Sequence, residues 1–455
     1  MPFLQFPRRC LRYWMSIALT VLGVAVVHFV SSANWLSHHG DFDIMQWRTG
    51  GIVSDSSQFN ATGCAYLRGM DNILVILKTG ATEALEKIPL HIDTTLRCAP
   101  HYAIFSDYEE EIAGVRTRDT LGSISEETRH TNPDFGIYNR LRISGRKGLT
   151  SEDWTDEENG PYGKPGNPGW KLDKWKFVPM VDEALLVKPD AQWYVFIEAD
   201  SYVFWRNMVQ WLSRLDAKKP LYLGAPMQMG NEVFAYGGAG IVLSNPAMQL
   251  VSQFRAGNST GVERMTADDW AGDHVLGMIL KDLGVSLVWS WPLLVPIRVW
   301  EFEFFTEGND HKLWCYPVAS YHHMSLQDIQ DMWLFEQKWV RFKKDSVLLH
   351  RDIFQWHVYD AISSEKDDWD NLSSDNEPEA SSTGYPTTFD ECARKCSLIT
   401  DCLQFSFSGR GCSTSTKVVG GGHRLGYSSG WMATRIKALL KNAQKCAKAQ
   451  YIIAY

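Results

Sequence analysis

The 455-residue sequence lacks several features that mark common classes of protein. It has no surplus of basic residues, since 45 Lys and Arg stand against 53 Asp and Glu for a formal net charge of −8, and this argues against broad electrostatic binding to nucleic acid. We find no internal repeats and no low-complexity bias, because 45% of the residues are hydrophobic and 22% are charged. Fibrous and wholly disordered classes are therefore excluded, and the length predicts two or three domains.

An apolar run near the N-terminus, residues 13–30, follows three arginines within residues 8–12. About 18 residues at a rise of about 1.5 Å give a length of ~27 Å, close to the ~30 Å core of a bilayer. The basic flank predicts a cytosolic tail at 1–12, an uncleaved anchor at 13–31 and a luminal remainder. A signal peptide cleaved near residues 31–33 is the alternative. Both place the body of the chain in the secretory pathway.

Cysteine usage agrees with an oxidising compartment. Cys10 lies before the apolar run, and the remaining eight cysteines are an even number, which predicts disulfides whose pairing the sequence does not fix. The eight are Cys64, Cys98, Cys315, Cys392, Cys396, Cys402, Cys412 and Cys446. Paired C-x2-C spacing is absent, so disulfides are favoured over a zinc site. Glycosylation sequons begin at Asn60, Asn258 and Asn371, all on the predicted luminal side.

Short apolar segments alternate with helical stretches in the middle of the chain. This pattern predicts an α/β fold with a largely parallel sheet. Ligands bind such sheets at the carboxyl ends of strands, which is where Lys78, Asp107 and Asp200 lie. The predicted strands are 73–77, 102–105, 193–197, 221–224 and 241–244.

Other segments are assigned from composition. Residues 32–65 are polar and aperiodic, which indicates a stem, and residues 151–170 are acidic and then rich in Gly and Pro, which indicates a loop. Residues 361–388, rich in Ser, Asp, Glu, Asn and Pro, are predicted to be a linker. The clustered cysteines that follow mark a small module at 389–446.

Two segments after predicted strands have residues suited to ligand binding. Glu198 and Asp200 end an apolar strand, and buried carboxylates are costly unless a divalent cation such as Mg²⁺ or Mn²⁺, or a hydrogen bond in the next turn, neutralises them. Gly237, Gly238 and Gly240 let the backbone approach a ligand closely, or they form a tight turn.

Two further segments begin predicted helices. Asp268, Asp269 and Asp273 either complement the start of a helix or supply a carboxylate base. His322 and His323 precede another helix, where a histidine is either a metal ligand or simply part of the turn.

The order and spacing of these segments resemble glycosyltransferase family 31, the Fringe-like and core 1 galactosyltransferase-like family, in a form similar to its fungal members. The matching motifs are residues 193–203, 234–244, 272–277 and 321–325, within roughly 71–342. The resemblance implies a GT-A fold, Rossmann-like, over residues 66–360. It implies an inverting, Mn²⁺-dependent (or Mg²⁺-dependent) transfer of a hexose or N-acetylhexosamine from a UDP-sugar to a glycan acceptor through a β-1,3 linkage.

The resemblance also implies roles for individual residues. Asp200 and His322 match the metal ligands, and Asp273 matches the catalytic base. The residues implied in nucleotide or donor-sugar binding are Lys78, Thr79, Asp107, Glu198, Gly238 and Ala239. Trp175 and Lys176 match a further signature without an assigned role.

The sequence departs from the family pattern at two places. Glu198 and Ala199 stand where the family often has Asp or other acids, and Gly272 replaces an acid before the base. Asp268 and Asp269 therefore remain rival candidates for the base.

Residues 389–446 resemble a PAN/Apple-like module. With the predicted anchor, the family resemblance implies a single-pass type II Golgi membrane protein whose luminal domain acts on glycoprotein or glycolipid glycans. The alternative is a catalytically inactive, membrane-tethered carbohydrate-binding or adhesion protein that works through the PAN/Apple-like module. A metal-dependent hydrolase is less favoured, because the candidate ligands are few and no second-metal cluster is visible.

Overall fold

A computed structural model gives the fold of much of the chain. The residues it describes are 67–154, 166–308, 311–343, 346–362, 365–375, 386–443, 445–446 and 448–453. The predicted tail, anchor and stem, and the sequon at Asn60, lie outside them. Among the described residues, no helix has both the length and the apolar character that a membrane span requires.

The strands up to Tyr321 form a central sheet and several small ones. In chain order they are β1 (Ile73–Lys78), β2 (Tyr102–Ser106), β3 (Glu111–Ile112), β4 (Val115–Asp119), β5 (Trp193–Glu198), β6 (Tyr202–Val203), β7 (Tyr222–Gly224), β8 (Pro226–Met229), β9 (Glu232–Ala235), β10 (Ile241–Ser244), β11 (Leu287–Trp289), β12 (Leu294–Val295), β13 (Glu307–Gly308), β14 (His311–Lys312) and β15 (Ser320–Tyr321). The central sheet has the order β11-β7-β10-β5-β1-β2-β4-β3 within the described residues.

Helices cover both faces of the central sheet. They are α1 (Ala84–Asp93), α2 (Glu126–Thr131), α3 (Gly136–Ser144), α4 (Pro168–Asp173), α5 (Phe177–Val187), α6 (Trp205–Leu212), α7 (Asn245–Gly257), α8 (Ser259–Asp268), α9 (Gly272–Asp282), α10 (Leu326–Lys343) and α11 (His350–Ile353). Strand β1 is buried throughout, and alternate side chains pack on opposite faces. Val75 packs in the cluster formed with α1 and α6, whereas Ile76 packs in the cluster formed with α5, α7 and α9.

The predicted α/β fold with a mostly parallel sheet is confirmed. Strand β1 runs parallel to β2 and β5, β2 to β4, and β7 to β11. Strand β10 is antiparallel to both β5 and β7. The chain reaches β10 from β7 through the β8–β9 hairpin, without the helical crossover that a parallel connection requires.

The predicted loop at 151–170 is partly wrong. Helix α4 begins at Pro168, because Asn167 caps it by accepting a hydrogen bond from the Trp170 amide, and proline suits the first helical position. Residues 155–165 lie outside the described part of the chain.

The C-terminal region forms its own sheet. Its strands are β16 (Glu365–Asp370), β17 (Gln404–Ser408), β18 (Gly411–Ser415) and β19 (Gly422–Trp431), and its helices are α12 (Phe389–Leu398) and α13 (Ala433–Asn442). The order is β16-β19-β17-β18, so β16 lies at an edge. The predicted linker at 361–388 is therefore wrong at residues 365–370, whose mostly polar composition suits a largely exposed edge strand.

Disulfides, rather than a zinc site, join the cysteines of this region. Cys392 pairs with Cys412 and Cys396 with Cys402, and a third bond joins Cys315 to Cys446. The resemblance to a PAN/Apple-like module stays a prediction.

Burial removes one sequon from consideration as a glycosylation site in the folded protein. Asn371 is fully buried, and its side-chain amide donates to the carbonyls of Phe405 and Gly430 at 3.0 and 3.2 Å. Asn258 is exposed.

Candidate functional site

The loop after β5 and the segment around His322 meet through backbone pairing. Strand β15 pairs antiparallel with β6, which places Tyr321 opposite Tyr202. Beyond this pair, the Met324 amide donates to the Asp200 carbonyl at 2.8 Å. Two segments that are distant in the sequence are thus fixed side by side, and the side chains of Asp200 and His322 face each other.

Asp200, His322 and His323 form a cluster that fits a divalent cation. His322 Nε2 lies 3.1 Å from Asp200 Oδ1, and His323 Nδ1 lies 3.7 Å from Asp200 Oδ2. One ligand atom from each residue can be chosen so that all three lie within 4.8 Å of one another. One carboxylate oxygen and two imidazole nitrogens suit Mn²⁺ and similar metals. His322 Nδ1 is buried without a hydrogen-bond partner among the described residues.

Electrostatics keep Asp200 in the form that binds a cation. Burial alone would raise its pKa, but the neighbouring His322 and His323 hold the pKa of this carboxyl well below its ordinary value. Burial conversely lowers the pKa of His322, but the Asp200 charge and hydrogen bond outweigh it and raise this pKa overall. Asp200 is therefore a carboxylate at neutral pH.

Lys78 lies between two carboxylates at the end of β1. Its ammonium is 3.2 Å from Glu198 Oε1 and also donates to Asp173 in a close contact. The pairing with Glu198 follows from the parallel register of β1 and β5, in which these two residues are partners. The Lys78 side chain is 5% exposed, so its charge needs these partners.

Lys176 ties the ends of β1 and β2 together. Its Nζ donates to the Thr79 carbonyl at 2.7 Å and lies 2.9 Å from Asp173 Oδ1 and 3.3 Å from Asp107 Oδ2. Asp107 Oδ1 also accepts a hydrogen bond from the Ala81 amide at 2.7 Å. Asp107 and Thr79 therefore have structural contacts, and their implied nucleotide contacts stay predictions.

Asp273 lies in the first turn of α9 and faces the turn formed by residues 237–240, which we call the glycine turn. Its Oδ2 accepts from the Gly237 amide at 2.7 Å, and its Oδ1 accepts from the His274 amide at 2.9 Å. Burial raises the pKa of Asp273 to about 6, although the bond from Gly237 opposes this shift. At neutral pH this carboxylate is both ionised and more basic than an exposed one, as a general base should be.

The two rival carboxylates have different surroundings. Asp269 Oδ1 accepts from the amides of Trp270 and Ala271, and its Oδ2 lies 2.7 Å from His274 Nδ1. Asp269 therefore fixes the start of α9, and Asp268 is exposed at the end of α8. Within the described residues, Asp273 is the one of these three acids bonded to the glycine turn.

The glycine turn lies between Asp273 and His322. A Cβ atom at Gly238 would lie 2.1 Å from His322 Cε1, so a side chain there would displace the imidazole. Hydroxyls fix the turn from the other side: Ser201 donates to the Gly238 carbonyl at 2.8 Å, and Ser320 donates to the Ala239 carbonyl at 2.5 Å. The turn thereby positions both candidate groups.

The structure explains one departure from the family pattern. A Cβ atom at Gly272 would lie 2.2 Å from the Lys174 carbonyl oxygen, so an acid does not fit at this position without movement of the backbone. The departure reflects the close approach of α9 to the segment that follows α4, and Asp273 remains in place.

The sequence identifies Asp200, His322 and Asp273 as candidates but gives no role to two other residues of the candidate site. Asp173 was not singled out, although its spacing from Lys176 is the i, i+3 spacing of neighbours on a helix. His323 was not assigned a role, and its φ of 56°, uncommon for a residue with a side chain, is not visible in a sequence.

Comparison with known proteins identifies the family of the chain. A family model described as Fringe-like matches residues 68–294, an interval that includes Lys78, Asp200, Gly238 and Asp273, whereas His322 lies beyond it. No curated protein matched the chain. Members of the matched family are generally glycosyltransferases. The resemblance seen in the sequence motifs is therefore confirmed, and the chain belongs to the Fringe-like family.

Proposed function

We propose that this protein is an inverting glycosyltransferase of GT-A fold that moves a hexose or N-acetylhexosamine from a UDP-sugar to a glycan acceptor. The observation that carries the proposal is the arrangement around the glycine turn, where Asp273 accepts a hydrogen bond from the Gly237 amide and His322 packs against Gly238. A candidate base and a candidate metal site thus lie on either side of one short segment. A base and a metal site held by one short segment would orient two bound substrates for the transfer.

Asp200, His322 and His323 would hold a divalent cation, Mn²⁺ or Mg²⁺, which when bound offsets the negative charge of a departing diphosphate. The backbone hydrogen bond from the Met324 amide to the Asp200 carbonyl fixes the distance between the segment of Asp200 and the segment of His322.

Asp273 accepts the proton of the acceptor hydroxyl in the proposed reaction. The hydroxyl oxygen forms the new bond to the anomeric carbon while the bond from that carbon to the UDP oxygen breaks, and UDP leaves with the electron pair. The Gly237 amide donates to Asp273 Oδ2 and the His274 amide donates to Oδ1, and each oxygen keeps a second lone pair that is able to accept the proton. General base catalysis of this kind contributes about 10²–10⁴-fold to the rate.

Lys78 orients Glu198 toward the nucleotide. The ammonium pairs with both Glu198 and Asp173, so the Glu198 carboxylate is fixed at the carboxyl end of β5, where it would meet the ribose or the shell of the metal. Lys78, Thr79, Asp107, Gly238 and Ala239 complete the proposed donor site.

The first test is Mn²⁺-dependent UDP release, measured with a panel of UDP-sugars. Asp200→Ala should abolish transfer and weaken UDP binding when Mn²⁺ is present, because it removes the carboxylate ligand. Asp273→Asn should keep UDP affinity near the wild-type value and abolish turnover. Asp268→Asn is the matched control, since Asp268 is exposed and should tolerate the change.

Two results would contradict these assignments. Unchanged turnover in Asp200→Ala would refute the metal site. A collapse of UDP affinity in Asp273→Asn would assign this residue a structural role instead.

We also propose that the protein is a single-pass type II membrane protein of the Golgi whose acceptors are glycans of glycoproteins or glycolipids. The three disulfides that join described cysteines to one another support an oxidising compartment. Protease protection of sealed microsomes should leave an epitope at the C-terminus intact and remove one at the N-terminus. Removal of the C-terminal epitope would refute this topology.

A further inference from the structure

His91 lies beside residues 198–201, which we call the candidate metal loop, and forms one side-chain hydrogen bond with them. The residue is in the last turn of α1 and is fully buried. Its Nε2 lies 2.8 Å from the carbonyl oxygen of Ala199, the residue between Glu198 and Asp200. Because a carbonyl only accepts hydrogen bonds, the ring must carry its hydrogen on Nε2. Burial lowers the pKa of His91, so the imidazole is neutral.

The backbone carbonyls of the metal loop are each held by a different segment. The Glu198 carbonyl accepts from the Ser201 amide at 3.0 Å, within the loop itself, and the Asp200 carbonyl accepts from Met324 at 2.8 Å. The Ala199 carbonyl is held by the His91 side chain. Ala199 is 2% exposed, so the loss of this donor would leave a buried carbonyl to find another partner.

A second contact joins the same two segments on the other side of Asp200. The indole Nε1 of Trp205 donates to the Thr95 carbonyl at 2.6 Å, and this contact is also buried. The end of α1 and the residues that follow it are therefore hydrogen-bonded to Ala199, before Asp200, and to Trp205, after it. These contacts restrict how far the Asp200 carboxylate moves from His322.

We propose that His91 is a positioning residue that fixes the candidate metal loop through the Ala199 carbonyl and so sets the place of the Asp200 carboxylate. The proposal rests on the proposed function, in which Asp200 binds the cation. His91 itself contacts neither the cation nor the substrates; it acts through the backbone. Residues that orient metal ligands in this way typically change metal affinity by about 10–100-fold when they are replaced.

The experiment compares two amides that differ in reach. His91→Gln places an N–H near the position of the imidazole Nε2, whereas His91→Asn has the same chemistry on a shorter side chain. His91→Leu removes the donor altogether. The affinity for Mn²⁺ in the presence of UDP is measured from the electron paramagnetic resonance signal of free Mn²⁺, and folding is followed by circular dichroism during heating.

A matched control removes a comparable hydrogen bond elsewhere. Tyr194→Phe deletes a hydroxyl that donates to the Lys188 carbonyl at 2.7 Å and accepts from the Asn245 amide at 3.2 Å, on the same strand β5 but toward its amino end. We expect about tenfold weaker Mn²⁺ binding for His91→Asn and His91→Leu, and wild-type binding for His91→Gln and Tyr194→Phe. In turnover assays, the Mn²⁺ concentration for half-maximal rate should rise about tenfold in the impaired variants, and saturating Mn²⁺ should restore most of kcat.

Several outcomes would overturn the inference. Equal Mn²⁺ affinity in His91→Asn, His91→Gln and the wild type would refute it and leave the proposed function intact. Equal weakening in Tyr194→Phe would show that loss of stability, rather than the loop, controls affinity. If His91→Leu does not fold, the two amide variants still decide the question. If the folded wild type does not bind Mn²⁺ with UDP, the proposed function and this inference both fail.

Discussion

The carboxyl edge of the central sheet and the C-terminal sheet are held by different kinds of interaction. At the carboxyl edge, Lys78 and Lys176 are buried among Asp107, Asp173 and Glu198. In the C-terminal sheet, four buried cysteines form two disulfides. A buried ion left without its partner is strongly destabilising, whereas a reduced disulfide leaves neutral groups. The first region should therefore respond to changes of charge and the second to a change of redox state.

The largest expected effect comes from Lys176→Met, which tests the ionic side of this comparison. The change leaves Asp107 and Asp173 without one cation, and removal of one partner from a buried pair typically costs about 3–5 kcal/mol. Urea unfolding should show a loss of this size, and the remaining folded enzyme should have lower activity because the ends of β1 and β2 are no longer tied.

Lys188→Met is the matched control. Lys188 pairs only with the exposed carboxylate of Asp190 among the ion pairs of the described residues, and the change should leave the urea midpoint nearly unchanged. A midpoint for Lys176→Met within experimental error of this control would contradict the ionic description.

The second-largest expected effect tests the disulfides of the C-terminal sheet. The double substitution Cys392→Ser with Cys412→Ser opens a loop with a sequence separation of 20 and should lower the free energy of unfolding by about 2–4 kcal/mol. At a temperature where the variant remains folded, the transfer rate should be that of the wild type, because both cysteines pack in a cluster of C-terminal residues that contains no residue of the candidate site. A large loss of kcat without unfolding would show that the two regions are coupled. The measurements are urea unfolding and transfer rate, with and without reductant.

Gly238→Ala changes the candidate site without removing a charge. The new methyl group would overlap His322, and a displacement of about 1 Å in a catalytic site can lower the rate by about 10²-fold. The melting temperature should change far less than in the two preceding experiments. Gly230→Ala serves as a control for replacing a glycine in a neighbouring turn, since a Cβ there meets no atom within 4 Å, although its φ of 57° adds some strain. Wild-type activity in Gly238→Ala would contradict the placement of His322.

The smallest effect is the pH dependence from Asp273. Burial raises its pKa to about 6 from an ordinary value near 3.8, so the rate should rise as pH increases through about 6, with a slope of about tenfold per pH unit below it. The sign for stability is opposite: the folded state binds the proton more tightly, so this group makes the protein less stable as pH rises from about 4 to 6. A loss of activity as the pH is lowered from about 6 to 4 is therefore not explained by unfolding linked to Asp273. Activity and melting temperature measured at each pH separate the two, and a rate that is flat from pH 5 to 8 would contradict the role of Asp273.

Much of the fold could be predicted because burial leaves a clear pattern in the sequence. Strand β1 is apolar on both faces up to Lys78, as a strand covered by helices on both sides must be. The edge strand β16 could not be recognised in this way, because most of its side chains are exposed and its residues read as a linker. Its identity depends on pairing with β19, which lies far along the chain.

The candidate site was predictable where residue type alone suggests chemistry. Asp200, His322 and Asp273 are polar side chains at the ends of apolar segments, and the family motifs place them in order. The roles of His91 and Asp173 depend on contacts across the fold, with the Ala199 carbonyl and with two buried lysines respectively. A backbone carbonyl has no signature in the sequence, so such contacts appear only once the chain is folded.

The bond between Cys315 and Cys446 has a consequence for biosynthesis. Their sequence separation is 131, so the ribosome must add all of the intervening residues before an oxidant is able to close the bond. The residues after Cys446 then dock on α6, where the Trp211 indole donates to the Ile452 carbonyl at 2.9 Å. This domain is therefore completed only after residue 452 has been added, and a nascent chain released before Cys446 would lack both the covalent link and the docked residues.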